Sequence, residues 1–273
     1  MPDSPDELIF DIPVGAGVGT RANEDGPPVT PKDAATVILL RDGGAGLEVF
    51  LQHRVRGMAF AGGMTVFPGG GVDPRDADAS VRWAGPDPAW WGELFGATED
   101  GARALVCAAV RETFEECGVL VAGIGDVPVT DVTPFAEARQ DLLARRVSLA
   151  EFLSGAELTL RADLFRPWAH WVTPEAEPRR YDTRFFLAKL PEGQEADGAT
   201  SEATSSGWQR PAEALEDARA GKRMLMPPTW VTLNELTTFD TAEEALAAER
   251  VITRIAPTLV REGDKVRVVL EEV

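Results

Sequence analysis

Short apolar bursts separated by turn residues organise the first part of the chain. Residues 34–41 read Ala-Ala-Thr-Val-Ile-Leu-Leu-Arg and residues 47–54 read Leu-Glu-Val-Phe-Leu-Gln-His-Arg, with Asp-Gly-Gly-Ala-Gly between them. Two such runs around a glycine-rich turn predict a β-hairpin. A third short strand at 64–67 leads into Pro68-Gly69-Gly70-Gly71. Residues 72–98 carry Pro74, Pro86, Pro88 and three tryptophans without a period, and predict a loop insertion whose aromatics pin it to the body. At residue 99 the period changes. Leu105, Val106, Ala109, Val110, Phe114 and Cys117 fall on one face of a helix over 99–117, which Gly118 stops.

Beyond it the pattern predicts a helical region over 135–153 with a break near Ser148, then strands at 167–173 and 184–190. A small-residue acidic loop follows over 193–206, and a short helix over 211–220 is closed by Gly221. A helical pair at 228–239 and 241–255 and a hairpin at 258–270 complete the expectation. Strands and helices interleave without regular βα alternation. That order favours an α+β fold, a mixed sheet covered by helices, over a doubly wound parallel sheet. Residues 1–32, rich in Gly, Pro and Asp, read as a loose or wrapping arm. Residues 33–273 read as a single domain, with insertions at about 72–98 and 125–165 and a C-terminal helical and hairpin extension.

Composition narrows the function classes. Apolar runs such as 36–40 are too short to cross a bilayer. The acidic, proline-containing start has neither the basic segment nor the apolar stretch of a secretory signal, so a cytoplasmic protein is expected. A net charge of -18 argues against wrapping a nucleic-acid backbone, which needs clustered Lys and Arg. Such acidity suits solubility or a salty habitat equally well. If the ligand is a polyphosphate, local neutralisation by a divalent metal is required. Cys107 and Cys117 lie ten residues apart in one helix, roughly 15 Å at about 1.5 Å per residue, too far for a disulfide, and read as small core residues. With only His53 and His170 present, a histidine-rich metal site or a Ser-His-Asp triad lacks material, and both histidines read as structural.

The chemistry concentrates in Arg111-Glu112-Thr113-Phe114-Glu115-Glu116-Cys117-Gly118-Val119. Glu112, Glu115 and Glu116 share one helix face, because positions i, i+3 and i+4 are neighbours. They repel one another, and they sit near the helix C-terminus, where the macrodipole disfavours anions. A solvated acidic face is the bland explanation for an arbitrary E-x-x-E-E. Hard divalent cations, Mg²⁺ or Mn²⁺, are the explanation that offsets both costs.

Arg111 to Val119 resembles the second half of the Nudix box, R-E-U-x-E-E-x-G-U, and Phe67-Pro68-Gly69-Gly70 resembles its opening. Thr113 stands where an aliphatic residue is usual. The usual box glycine lies fourteen positions before the arginine and a glutamate eight before it; here Ala97 and Arg103 occupy those places. A long insertion inside the box is similar to the subgroup around the peroxisomal coenzyme A diphosphatases. Arg54 and Gly63 fit the upstream signature of that subgroup, whereas Ala59 replaces its second arginine.

The resemblance implies an α/β/α sandwich with helical insertions and a metal-dependent diphosphatase. Glu112, Glu115 and Glu116 would be ligands, with the carbonyl of Gly70 or Gly71 completing the shell, and Arg111 would brace the loops. Glu202 is the candidate general base. Arg54, Arg56, Arg179, Arg180 and Arg184, with the glycines Gly69 and Gly70, are candidate substrate contacts, since arginine grips phosphate bidentately. Tyr181 either stacks on a base or packs. The expected substrate is a small nucleotide-type molecule. It is coenzyme A or acyl-coenzyme A giving 3′,5′-ADP, or another nucleoside diphosphate derivative (ADP-ribose, NADH, a dinucleotide). A nucleotide-binding module without turnover is the further alternative, motivated by Arg103. The C-terminal elements offer a surface for a homodimer.

Overall fold

The computed structural model describes residues 7–8, 27–57, 61–262 and 265–269. Lys32–Gly43 and Gly46–Arg54 form the expected hairpin, with Gly43 opposite Gly46 across a two-residue turn. Tyr181–Lys189 lies parallel to the first of these strands over its whole length, Tyr181 opposite Lys32 and Lys189 opposite Leu40. Phe165–Val172 then runs antiparallel to Tyr181–Lys189, and Arg254–Ile255 closes that edge in parallel. On the other edge Ala203–Gln209 pairs antiparallel with Gly46–Arg54. Two short strands complete the mixed sheet of eight, Thr65–Val66 on the second hairpin strand and Gly69–Gly71 on the first.

Alternation along the strands divides the core into two layers. Ala35, Val37 and Leu39 face a cluster with Leu105, Val106, Ala109, Val110, Phe114 and Cys117 of the helix Glu99–Cys117. Ile38 and Leu40 face the opposite cluster, with Leu215, Leu233, Leu236 and Ala245 from the helices Pro211–Arg219, Pro227–Leu236 and Ala242–Ala247. Helices therefore cover both faces of the sheet, as the α/β/α reading requires.

The helix Glu99–Cys117 has the expected bounds. Thr98 caps its start by accepting the Gly101 N–H at 3.1 Å, and Gly118 ends it in the left-handed region at φ +70°. Burying each large aliphatic side chain on its core face contributes about 1.5–3 kcal/mol. That burial is what allows an unfavourable carboxylate cluster on the other face. Thr113 is fully buried, and its hydroxyl donates to the Ala109 carbonyl at 2.7 Å, so the polar atom at this usually aliphatic position is satisfied within the helix.

Several expectations need correction. The insertion over 72–98 is not an irregular loop: it contains a 3₁₀ turn Pro74–Ala77, a strand Trp83–Ala84 and a helix Pro88–Phe95. Pro88 sits at the first turn of that helix, where its missing N–H costs nothing, and Asp87 caps it. Trp91 is fully buried, stacked on Phe95, and pins the insertion to the body, whereas Trp90 is exposed. Gly69–Gly71, left without an assignment along the sequence, form a strand. Part of the expected acidic loop over 193–206 is the strand Ala203–Gln209. The helix expected over 241–255 spans only Ala242–Ala247 before the chain turns extended into Arg254–Ile255. The break near Ser148 separates Ala136–Leu143 from Leu149–Gly155, and Ser148 caps the second helix through a capping box with Glu151. Most of the 1–32 arm falls outside the described residues. Glu7–Leu8 is described, and it pairs with Lys265–Val269 of the C-terminal hairpin.

Candidate active site

The strand Gly69–Gly71 brings the helix carboxylates to the sheet. Gly69 donates its N–H to Glu116 Oε2 at 3.0 Å. At Gly70 a Cβ would lie 2.5 Å from Glu112 Oε1, so a side chain here would push the Glu112 carboxylate out of its place. Gly69 itself has φ +156°, and a Cβ there would meet the Ala35 carbonyl oxygen at 2.4 Å. The three glycines expose bare backbone beside two carboxylates.

Arg111 organises the other side. Its guanidinium donates to Asp76 (3.0 and 2.9 Å), to Glu112 Oε1 at 2.7 Å and to the Gly71 carbonyl at 2.9 Å, and it lies 3.5 Å from Glu115. It thus ties the 3₁₀ turn of the insertion to the glycine strand. Asp76 is only 2% exposed and was missed from sequence. The available signal was Asp73-Pro74-Arg75-Asp76, a reciprocal capping pattern in which Asp73 and Asp76 bond each other's backbone.

Burial dominates the electrostatics. It pushes Glu112 up to about 7, against the pull of Arg111, and Glu116 up to about 8, where repulsion from Glu112 adds to it and the Gly69 N–H opposes it. Glu115 is raised for the same first reason. Burial works against the charge on Arg111, yet its acidic partners outweigh it and raise its pKa further. Among the described residues no three acidic, thiol or imidazole side chains converge as a ready cage. Glu112 and Glu115 turn toward Arg111, and Glu116 turns toward the Gly69 N–H. The donors nonetheless suit a hard divalent cation: buried oxygen ligands, held against backbone, whose negative charge is short of compensation.

Glu112, Glu116 and Arg111, but not Glu115, line a cleft of about 590 Å³. Its floor is one face of the sheet: Ala34, Thr36, Tyr181, Thr183, Phe185 and Trp171. Glu112, Glu116, Arg111 and the three glycines form part of its wall, with Arg54, Glu202, Arg179, Lys32 and Arg145 also lining it. Arg54 donates to Glu202 at 2.6 Å, so these two candidates meet within the cleft. Lys32 and Arg145 were not singled out from sequence, and neither belongs to a recognisable motif.

Other candidates are placed elsewhere. Arg180 is buried and donates to the Thr173 and Val29 carbonyls, so it braces a turn and not a phosphate. Arg184, also buried, is held by Asp33 and Asp182. Arg56 is exposed, lies beside Gly63, and does not line the cleft. Arg180, Arg184 and Arg56 thus leave the set of cleft residues; for Arg184 the cause is strand alternation, which turns it away from Thr183 and Phe185. Arg103 points to Glu99 and the Trp83 ring and does not line the cleft. His170 bonds Asp182, His53 contacts Thr65, and both cysteines are free and buried. Ala59 falls outside the described residues.

One consequence is a pH dependence with a definite sign. Glu112 and Glu116 bind protons more tightly folded than unfolded, so in metal-free protein their contribution to stability is complete below the unfolded value of about 4.5 and is lost as pH rises through about 7 and 8. A cation competes with those protons. The thermal shift caused by excess Mg²⁺ is therefore expected to be larger at pH ~8.5 than at pH ~6. Melting curves at both pH values check this, and an equal or reversed shift counts against it.

The family described as the NUDT19 Nudix domain matches residues 95–236. A Caenorhabditis elegans protein carrying the nudix hydrolase 7 name is 33% identical over 189 residues, 69% of this chain and 55% of its own length. The human acyl-coenzyme A diphosphatase NUDT19 is 27% identical over 235 residues, 71% of this chain and 61% of its own. The chain thus spans less than two thirds of each of these relatives. A crystal structure of a Nudix hydrolase from Alicyclobacillus acidocaldarius superposes with a TM-score of 0.69 at 28% identity, covering 82% of this chain and 98% of that one. A buried E-x-x-E-E helix face against a glycine strand, on a sandwich of this topology and with these relatives, has one reading: the chain belongs to the Nudix hydrolase family, in its NUDT19-type group.

Proposed function

We propose that this protein is a diphosphatase that hydrolyses the diphosphate linkage of coenzyme A or an acyl-coenzyme A, giving 3′,5′-ADP and a phosphopantetheine. The contact that carries the reading is between Glu112 and Glu116 and the strand Gly69–Gly71, inside a cleft large enough for an extended nucleotide derivative. Glu112, Glu115 and Glu116, with the Gly70 or Gly71 carbonyl, would hold Mg²⁺ or Mn²⁺. A divalent cation there supplies neutralisation of the diphosphate oxygens and a more acidic water.

The chain's own groups do the rest. Arg111 keeps the insertion, glycine strand and helix in register. Arg54 and Arg179 offer guanidinium groups to the anionic substrate. Glu202, held by Arg54, accepts a proton from the attacking water once substrate draws that arginine away. The floor residues Phe185, Trp171 and Tyr181 give the base or the pantetheine arm a surface to lie on. Support for coenzyme A comes from the names of the relatives and from Arg54 and Gly63 in the upstream motif. Ala59 keeps a second reading open, in which ADP-ribose, NADH or a dinucleotide is the preferred substrate. Residues 33–273 would act as one unit.

A panel of coenzyme A, acetyl- and longer acyl-coenzyme A, ADP-ribose, NADH and a dinucleotide, each with Mg²⁺ or Mn²⁺, tests this directly. Chromatography is expected to show 3′,5′-ADP as the common product from the coenzyme A compounds, formed faster than AMP from the others. Preferential AMP release from ADP-ribose or NADH would install the second reading. Tight nucleotide binding with no turnover would leave a binding module.

A further inference from the structure

Among the described residues, three non-glycine positions adopt positive φ: Ala61, Arg145 and Glu157. Arg145, at φ +56°, follows the helix Ala136–Leu143 at the place where a helix end usually carries glycine or asparagine. Its N–H donates to the Leu142 carbonyl at 2.8 Å, so the turn is a regular helix ending that an arginine has been forced to fill. Such a conformation costs a non-glycine residue backbone energy, and it persists only where something compensates for it.

Among the described residues the Arg145 side chain makes no hydrogen bond and no close ion pair that would offset this. Arg146, the next residue, is committed to the helix: it bonds Asp141 through its side chain and its backbone N–H. The Arg145 carbonyl accepts from Arg75 Nη1 at 3.4 Å and so fixes the turn against the 3₁₀ segment that carries Asp73 and Asp76. Arg145 lines the cleft with Glu112, Arg111 and Asp73. Its charge also reaches Glu115: burial raises that carboxyl, and Arg145 is among the groups that draw it back.

We propose that Arg145 is a substrate-binding cation, presented by a strained helix terminus to grip the anionic phosphates of a nucleotide diphosphate beside the Glu112–Glu116 face. The inference rests on the diphosphatase reading and adds a contact from the helical insertion, which neither the box nor its upstream motif contains. An arginine suits the task because its planar donors match two phosphate oxygens at once. Anchoring the turn through Arg75 and Leu142 holds the guanidinium's starting point fixed, which lowers the ordering cost on binding.

Glycine at this position relieves the backbone and removes the grip, so stability and binding separate. Arg145→Gly, Arg145→Asn (which also tolerates the left-handed region) and Arg145→Lys are compared with wild type. The measurements are the melting temperature and calorimetric binding of α,β-methylene-ADP with Mg²⁺ present. Arg145→Gly and Arg145→Asn are expected to melt at or above the wild-type temperature and to bind the probe about tenfold or more weakly, with Arg145→Lys in between. Probe binding within twofold of wild type in Arg145→Gly, or a clear fall in melting temperature in both neutral variants, overturns the proposal. Failure of wild type to hydrolyse any member of the diphosphate panel would instead reject the activity itself, so the two failures are distinct.

Discussion

Glu116→Gln is expected to lower turnover of the diphosphate substrate by about 10³-fold, from loss of several kcal/mol of transition-state stabilisation, while the metal-free protein melts at or above the wild-type temperature. The two halves of this expectation have one cause. Glu116 is 5% exposed, and burial pushes its carboxyl up to about 8, so its charge is costly in the absence of a cation. Glutamine has nearly the same volume, and its carbonyl oxygen can still accept the Gly69 N–H that now bonds Glu116 at 3.0 Å. The fold therefore loses nothing, whereas the site loses an anionic ligand. Steady-state kinetics and metal-free melting curves measure the two quantities. A parallel loss of stability and activity would make Glu116 a structural residue.

Arg111→Met carries the largest expected cost to the fold, about 3–5 kcal/mol, because breaking a buried ion pair leaves its partner's charge uncompensated. Asp76 is 2% exposed and the Arg111 side chain 11% exposed, and the same guanidinium also serves Glu112 and the Gly71 carbonyl. Methionine fills much of the volume but none of the bonds. Adding Asp76→Asn should return part of the loss, since the two residues share one interaction and their effects will not add. Denaturant unfolding of the two single variants and the double variant measures this coupling. A single-variant loss below about 1 kcal/mol would mean the brace is a surface ion pair.

Sequence legibility followed local signals. The helix Glu99–Cys117 was readable to the residue because Thr98 and Gly118 mark both ends and the apolar face has the helical period. The hairpin and the three glutamates were equally plain. The prolines around the helix Pro88–Phe95 read as breakers along the sequence, although Pro88 at a first turn behind Asp87 is a start signal. The Ala242–Ala247 helix was drawn too long because charged and small residues continue past its end without a stop. Among candidate contacts, motif position could not tell Arg179, which lines the cleft, from Arg180 and Arg184, which are buried among carbonyls and carboxylates. That distinction depends on strand register set by residues far away in sequence. Arg145 is invisible for the same reason, and the capping pattern around Asp76 marks a turn but not its partner: each reaches the site only after the insertions fold back on the glutamate helix.

The claim beneath all of this is that the glutamate face beside the glycine strand binds a divalent cation. Titrating Mn²⁺ into the metal-free protein by calorimetry, at pH ~8 where Glu112 is largely ionised and Glu116 about half so, tests it most directly. Saturable uptake with proton release is predicted, strongly weakened in Glu116→Gln and in Glu112→Gln. Absence of uptake by the wild type, or uptake that neither substitution changes, would contradict it.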